Sequence, residues 1–368
     1  MKIRISKENL MKAIQIVSRA VSGKTTMSIL QCIMINASGT EICLIANDME
    51  LGIQTVAQGV ILERGMIAVD AQIFSNIIRK LPDSDVSIET SGEKVMVNCE
   101  NARFAILGRD GNDFAFLPEI DRSVGIRLSQ YTLRDMITRT IFSISGNESN
   151  GMMTGELMEI MDQHIRMVAL DGHRIATRKA ELREPYENRK IIIPGKTLQE
   201  ISKILGGDTE KDVDIFFTDK HVLFTFDDTI VVSRLIEGEY YKIDKMLSSN
   251  YKTRIICRRR ELLDCLDRAT LLVKEEDKKP VIIMIREDEM ELRINTAIGS
   301  MDETVAIRRE GEDFNIGFNP KFLIEALRAI DEEEVTMYLL SPKAPCFIRD
   351  AEDMYCYLIL PVNFITID

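Results

Sequence analysis

Lys2-Ile3-Arg4-Ile5-Ser6, followed by Leu10-x-x-Ala13-Ile14-x-x-Val17, sets a short alternating strand directly ahead of an apolar stripe at helical spacing. The pattern returns twice. Ile126-Arg127-Leu128-Ser129 leads to Leu133-x-x-Met136-Ile137, and Arg254-Ile255-Ile256-Cys257 leads to Leu262-x-x-Cys265-Leu266-x-x-Ala269. Period-two alternation fits a half-buried strand, while spacings of three, four and seven put apolar side chains on one helix face. A second helical stripe recurs deeper in each unit: Phe74, Ile77, Ile78 and Leu81, then Leu198, Ile201 and Leu205, then Leu323, Ala326, Leu327 and Ile330. Strand-like runs follow each second helix. Val86–Glu89 precedes Val95–Val97, Val213–Phe217 precedes His221–Phe226, and Val335–Leu340 precedes the terminal Tyr355–Leu360, each expected as an antiparallel hairpin. Two helices and several short antiparallel strands per unit predict an α+β fold of three similar domains, at 1–122, 123–250 and 251–368.

Composition narrows the function. The chain has 368 residues, and 45% of them are hydrophobic, too many for a disordered chain. Its formal net charge of −12 argues against a generally basic, nucleic-acid-coating surface. No apolar run reaches the ~18–20 residues needed to cross a bilayer, and the N-terminus has no apolar signal region, so a soluble cytoplasmic protein with no membrane partner is expected. Cys32, Cys43, Cys99, Cys257, Cys265, Cys346 and Cys356 are scattered and odd in number, and only three histidines are present. That pattern predicts buried thiols rather than a disulfide framework, a metal site or a cofactor.

The helix faces opposite the apolar stripes carry cations. Lys12 and Arg19, Lys196 and Lys203, and Lys321 and Arg328 are each seven apart, as are Gln72 and Arg79. One such pair is an ordinary solvated face, but recurrence in an acidic protein suggests a basic surface assembled from helices, for which a phosphate backbone is the natural partner. Gly23-Lys24-Thr25 resembles the end of a phosphate loop, yet Ser18 stands where the first glycine belongs, so Lys24 reads better as a loop lysine reaching phosphate. In Asp171-Gly172-His173-Arg174 a carboxylate could orient an imidazole. With no nucleophile motif in the chain, the spacing favours a structural turn.

At this turn a family resemblance enters. Val168-Ala169-Leu170-Asp171-Gly172-His173-Arg174-Ile175-Ala176 resembles the central signature of the bacterial sliding clamp, the β subunit of DNA polymerase III. Met1-Lys2-Ile3, Ala46-Asn47-Asp48-Met49-Glu50, Arg103-Phe104, Ile193-Pro194-x-Lys196, Ser233–Gly238, Ile316–Asn319 and Leu358–Val362 resemble family landmarks in the same order across the whole chain. Departures are Met27-Ser28 before Ile29-Leu30, Tyr241 in place of a proline, Lys245 in place of an arginine, and Asn363 after Pro361-Val362.

The resemblance implies a non-enzymatic DNA clamp fold. A head-to-tail homodimer would close a six-domain ring around duplex DNA, with sequence-independent, topological retention, and would tether the replicative polymerase, the clamp loader and repair proteins through short linear peptides. The expected DNA-contact set is Lys12, Arg19, Lys24, Arg79, Lys196, Lys203, Lys321 and Arg328. Lys24 matches the family's DNA-touching loop, and the others rest on helical spacing. The client-peptide pocket carried over from the family is Met152, Met153, Leu170, Gly172, His173, Arg174, Ile175, Tyr241, Lys245, Met246, Phe322, Leu358, Leu360, Pro361 and Val362, with His173 and Arg174 as polar anchors at the rim. The expected dimer faces are Phe74, Ile78 and Ile106 with Arg103 and Arg109, against Leu271 and Leu272 with Asp302 and Glu303. Two alternatives compete: an enzyme using His173 with Asp171, and a diverged acidic scaffold that binds proteins without encircling DNA.

Overall fold

The computed structural model describes residues 1–23, 25–147, 149, 151–247, 250–273 and 279–364; Lys24 lies outside the described residues. Among the described residues six α-helices follow strands, directly or, for α6, after Asn319: α1 (Lys7–Val17), α2 (Ala71–Lys80), α3 (Gln130–Thr138), α4 (Gly195–Ile204), α5 (Arg259–Thr270) and α6 (Pro320–Arg328). The strand's last polar residue serves as the cap in several of them. Ser6 Oγ accepts the N–H of Asn9 (3.3 Å), Asp70 Oδ1 that of Ile73 (2.8 Å) and Asn319 Oδ1 that of Lys321 (3.1 Å). Such caps satisfy N–H groups that the first helical turn leaves unpaired.

By its contacts the chain divides into two compact units, residues 1–131 with 200–235, and residues 132–199 with 236–368. In the first, thirteen antiparallel strands form one continuous order, and α1 packs on α2 over a core that includes Ile3, Ile5, Leu10, Ile14, Phe74, Ile78, Val86 and Val97. In the second, ten strands form one order, and α5 packs on α6 over Ile255, Leu262, Leu266, Ile283, Leu292, Leu323 and Leu327. The middle third of the sequence supplies strands to both. Gly125–Ser129, Asp212–Phe217, His221–Phe226 and Thr229–Arg234 join the first sheet, whereas Gly155–Leu170 and Arg174–Pro194 join the second. The two units therefore do not coincide with the three sequence repeats.

Two sequence expectations need correction. Glu334–Leu339 does not pair with the terminal strand. It pairs with Cys346–Arg349, which pairs in turn with Tyr355–Ile359. The intervening strand has four residues beside Pro345, too short to register as alternation. The 16- and 21-residue strands of the central hairpin also carry no clean alternation, because both ends are buried on two faces.

All seven cysteines are unpaired, six of them buried, and among the described residues no helix is long and apolar enough to cross a membrane. Among the described residues no cluster of three or more His, Cys, Asp or Glu could hold a metal.

Glu156 is a buried carboxyl in the second unit. Thr140 Oγ1 donates to its Oε2 (2.8 Å), while its Oε1 and the nearby buried Ser143 Oγ have no partner among the described residues. Burial pushes the carboxyl up to about 8, against a small opposing pull from Thr140. A folded-state value above the unfolded one means the native state keeps a proton that the unfolded chain releases. Stability is therefore full below the ordinary carboxyl range and falls as pH rises toward 8, by at most about 1.4 kcal/mol per pH unit. Glu156→Gln should remove that slope. Denaturant midpoints measured from pH 5 to 8 should converge at the acid end and favour the variant progressively toward pH 8.

Candidate functional site

The central hairpin pairs from Gly155 opposite Pro194 to Leu170 opposite Ile175, and turns through Asp171-Gly172-His173. Gly172 takes φ +89°, a left-handed conformation that favours glycine. Asp171 Oδ1 accepts the backbone N–H of His173 (2.9 Å) and Arg174 (3.2 Å), and its Oδ2 accepts Arg174 Nε (3.0 Å). The carboxylate is thus spent on the turn and does not orient the His173 imidazole, which removes the geometric basis of the enzymatic alternative.

Arg174 is not a rim anchor. It is 7% exposed, and its guanidinium donates also to Glu325 of α6 and to the carbonyl of Phe142 while lying over the Phe322 ring (4.4 Å) and Phe142 ring (5.4 Å). A planar, five-donor side chain satisfies three acceptors at once, so Arg174 staples the turn to α6. His173 remains exposed, its ring 6.1 Å from that of Phe322.

Beyond the turn, Arg174–Arg178 pairs with Tyr355–Ile359, setting Ile175 opposite Leu358. The Leu360 N–H donates to the His173 carbonyl (2.9 Å) and the Val362 N–H to that of Gly317 (2.8 Å), which fixes the course of Leu360, Pro361 and Val362. Leu170, Ile175 and Leu358 are buried in one apolar cluster, with Met152 and Met153 half-buried against it. The sequence reading missed the other members, among them Leu157, Val168, Ile192, Tyr240, Ile243 and Phe347. Tyr240 was open to recognition, as the aromatic beside Tyr241. Its hydroxyl donates to the Val168 carbonyl (3.3 Å), and its ring meets that of Tyr241 edge-on at 6.0 Å.

Tyr241, Lys245 and Met246 are exposed on the segment above this cluster, with Met246 at 51%. Arg166, buried, ties that segment down by donating to Asp244 (2.9 Å) and to Glu159. Gly238 at φ +132° admits Met152, whose Cε would lie 2.0 Å from any added Cβ. The result is a buried apolar cluster with exposed methionine and tyrosine beside it.

The other predicted residues scatter. Lys12, Lys196, Lys203, Lys321, Arg79 and Arg328 are exposed on α1, α4, α6 and α2, and among the described residues Lys12 and Lys321 take part in no ion pair. Arg19 lies in the 3-10 turn Ser18–Ala20 after α1, so helical spacing does not link it to Lys12. It pairs with Glu200 (2.8 Å), which also holds Lys203 (2.8 Å). Burial alone would push Glu200 up, but the bonds from Lys203 and Arg19 outweigh it and hold the carboxyl below its ordinary range. Arg328 pairs with Asp267 (3.0 Å), and Arg79 donates to Asn76.

Phe74 and Ile78, expected on a dimer face, are 0% exposed and belong to the core of the first unit. The surface instead presents Phe104 and Leu107, the latter 80% exposed, with Arg103 and Arg109 exposed and Ile106 half-buried on the same strand. Ala102–Leu107 pairs with Lys94–Cys99 on one side only, and Gly299–Ala306 likewise with Glu289–Thr296; neither has a second strand neighbour among the described residues. Near the latter edge Leu271 is exposed and Leu272 half-buried, while Asp302 and Glu303 pair within the chain with Arg293 and Arg268.

Comparison with known proteins agrees with this architecture. Models of the DNA polymerase III beta subunit match in succession: its N-terminal domain over residues 1–118, its central domain over 127–242 and its C-terminal domain over 244–363. A beta sliding clamp of Staphylococcus aureus is 33% identical over 357 residues, 94% of each chain. The crystal structure of the DNA polymerase sliding clamp from Bacillus subtilis is 32% identical with a TM-score of 0.95, covering 99% of this chain and 100% of that one. A structure from Eubacterium rectale described as a DNA polymerase III beta subunit is 57% identical, with a TM-score of 0.96 and the same coverage. The fold is that of a three-domain DNA clamp, a class of processivity factors rather than enzymes that encircle DNA and bind polymerase. This chain belongs to the DNA polymerase III beta subunit family.

Arg174 and His173 should separate cleanly on substitution. Arg174→Ala removes the guanidinium donors of the Phe142 carbonyl, of Glu325 and of Asp171 Oδ2, and should cost roughly 3 kcal/mol of stability. His173→Ala, at the exposed rim, should stay within about 0.5 kcal/mol of the parent. Chemical denaturation of both variants checks the contrast.

Proposed function

We propose that the protein is a sliding clamp whose head-to-tail dimer closes around duplex DNA and tethers the replicative polymerase, the clamp loader and repair proteins by short peptides held in a groove at the apolar cluster beside the Asp171 turn. The observation that carries this reading is the succession of three clamp-domain matches along the chain; the domains proposed are 1–122, 123–250 and 251–368. The scaffold alternative is not favoured, since the relatives are themselves clamps. The site of action is the cytoplasm, where a bacterial chromosome lies.

The residues support such a mechanism. A ring held by topology needs only weak, mobile phosphate contacts, which lysine and arginine supply without reading bases. Lys12 and Lys321 offer exposed ammonium groups, while Arg19, Lys203 and Arg328 are partly neutralised by Glu200 and Asp267, which keeps the grip loose. The net charge of −12 discourages adhesion of DNA elsewhere.

For ring closure, the open edge Ala102–Leu107 of one copy pairs with Gly299–Ala306 of the other. Phe104 and Ile106, which share one strand face, then meet Leu271 and Leu272, flanked by Arg103 and Arg109. Because the edges differ, the contact is heterologous and closes after two copies. Asp302 and Glu303 would have to exchange their present partners to contribute. Phe104→Asp should bury an unpaired charge and yield monomers by sedimentation, with loss of salt-resistant retention on circular DNA. The parent should be retained on circles and released on linearisation. A fully dimeric variant at low micromolar concentration would remove this interface.

In the groove, a peptide with glutamine followed by leucine- and phenylalanine-like residues should bind at roughly micromolar strength, about −8 kcal/mol. Met246→Asp places a charge on the apolar flank and should weaken that binding at least tenfold while dimerisation and DNA retention persist. Calorimetry giving equal affinity for parent and variant would exclude Met246 from the groove.

A further inference from the structure

The turn beside the proposed groove has a counterpart in the first unit. Asp48 Oδ1 accepts the backbone N–H of Glu50 (3.0 Å) and Leu51 (2.7 Å), as Asp171 does those of His173 and Arg174. Met49 stands at φ +77° where Gly172 stands at φ +89°. After each turn a strand pairs antiparallel with a later one, Leu51–Thr55 with Thr229–Ser233 and Arg174–Arg178 with Tyr355–Ile359. The chain leaving the later strand then makes the same return bond: Arg234 N–H to the Glu50 carbonyl (3.0 Å), and Leu360 N–H to that of His173 (2.9 Å). Position for position, Glu50 and Arg234 replace His173 and Leu360.

This second turn borders a cavity of about 320 Å³, at the small end of ligand-site volumes. Met49, Phe116, Leu117 and Val232 wall it, with His221 and Arg234 on its polar side. Gly52 makes room for Leu117, whose Cδ2 would lie 2.1 Å from an added Cβ. Phe116 and Met49 are exposed, so the apolar wall opens to solvent. Arg234 faces Glu50 at 3.6 Å, beyond hydrogen-bond length, with both side chains more than half exposed. Burial, then Arg234 and Lys220, hold the His221 imidazole below its ordinary range against the pull of Glu50. Arg234 is the one cation of the lining against Glu50, and with five N–H donors and no hydrogen bond to Glu50 it can take an added carboxylate.

We propose that this cavity is a second docking site, for a short linear peptide that inserts one large aliphatic or aromatic side chain against Phe116, Leu117 and Val232 and sets an adjacent carboxylate on Arg234. The peptide character of the ligand rests on the reading of the groove as a peptide site; the cavity and its charges do not.

The test is methyl NMR on the full-length protein labelled at Met, Leu and Val, titrated with a capped hexapeptide carrying a leucine–phenylalanine pair beside an aspartate. Saturable shifts are expected at Met49, Leu117 and Val232, with equal affinity in the parent and in Met246→Asp. Arg234→Ala, Phe116→Ala and a peptide with asparagine for aspartate should each weaken them at least tenfold. Both substituted positions are exposed, and the spectrum itself reports whether the fold persists. Shifts confined to groove methyls such as Met152, or cavity shifts indifferent to both substitutions, would overturn the proposal. Cavity shifts with none at Met152 and Met153 would support this site and remove the groove reading instead.

Discussion

Antiparallel backbone pairing between segments far apart in sequence is the constraint on which each unit depends. In the first unit Thr229–Ser233 lies against Leu51–Thr55, with the buried Thr55 and Thr229 hydroxyls 2.9 Å apart. In the second, Arg174–Arg178 lies against Tyr355–Ile359. Such pairings satisfy the main-chain groups of buried strands, which would otherwise be costly to desolvate. They also carry a sheet across the limits of a sequence repeat, so the middle third of the chain is shared between the two units.

The apolar cluster at the central hairpin follows from that pairing. Setting Ile175 opposite Leu358 brings the hairpin and the strand Tyr355–Ile359 together, and the Asp171 carboxylate fixes the turn beside them. Arg174 converts the turn into a rigid element by engaging a carboxylate of α6, a backbone carbonyl and two aromatic faces. A buried guanidinium is tolerable only when its donors are met, and here they are. The adaptable parts, Met152, Met153, Tyr241 and Met246, are left on this rigid floor as partly or fully exposed side chains.

Charge is distributed by a different logic. Several exposed lysines sit on helices, Lys12 on α1, Lys196 and Lys203 on α4, and Lys321 on α6, while others such as Lys94 and Lys190 sit on strands. Acidic neighbours such as Glu200 and Asp267 temper Arg19, Lys203 and Arg328. Long-range electrostatics of this kind set encounter and mobility more than fold.

The sequence by itself determined the strand-into-helix repeat, because alternation and helical stripes are local and need no partner to be legible. It also carried the turn, since Asp171-Gly172 is a short-range motif. Three things were decided only in the tertiary structure. Phe74 and Ile78 share a helix stripe whose burial depends on what packs over α2, and they became core rather than surface. Arg19 left the helical register in a 3-10 turn, and Arg174 went inside because Glu325, Phe142 and Phe322, distant in sequence, converge on it. The open edges at Ala102–Leu107 and Gly299–Ala306 were equally invisible, because a strand's free side is a property of its neighbours and not of its residues.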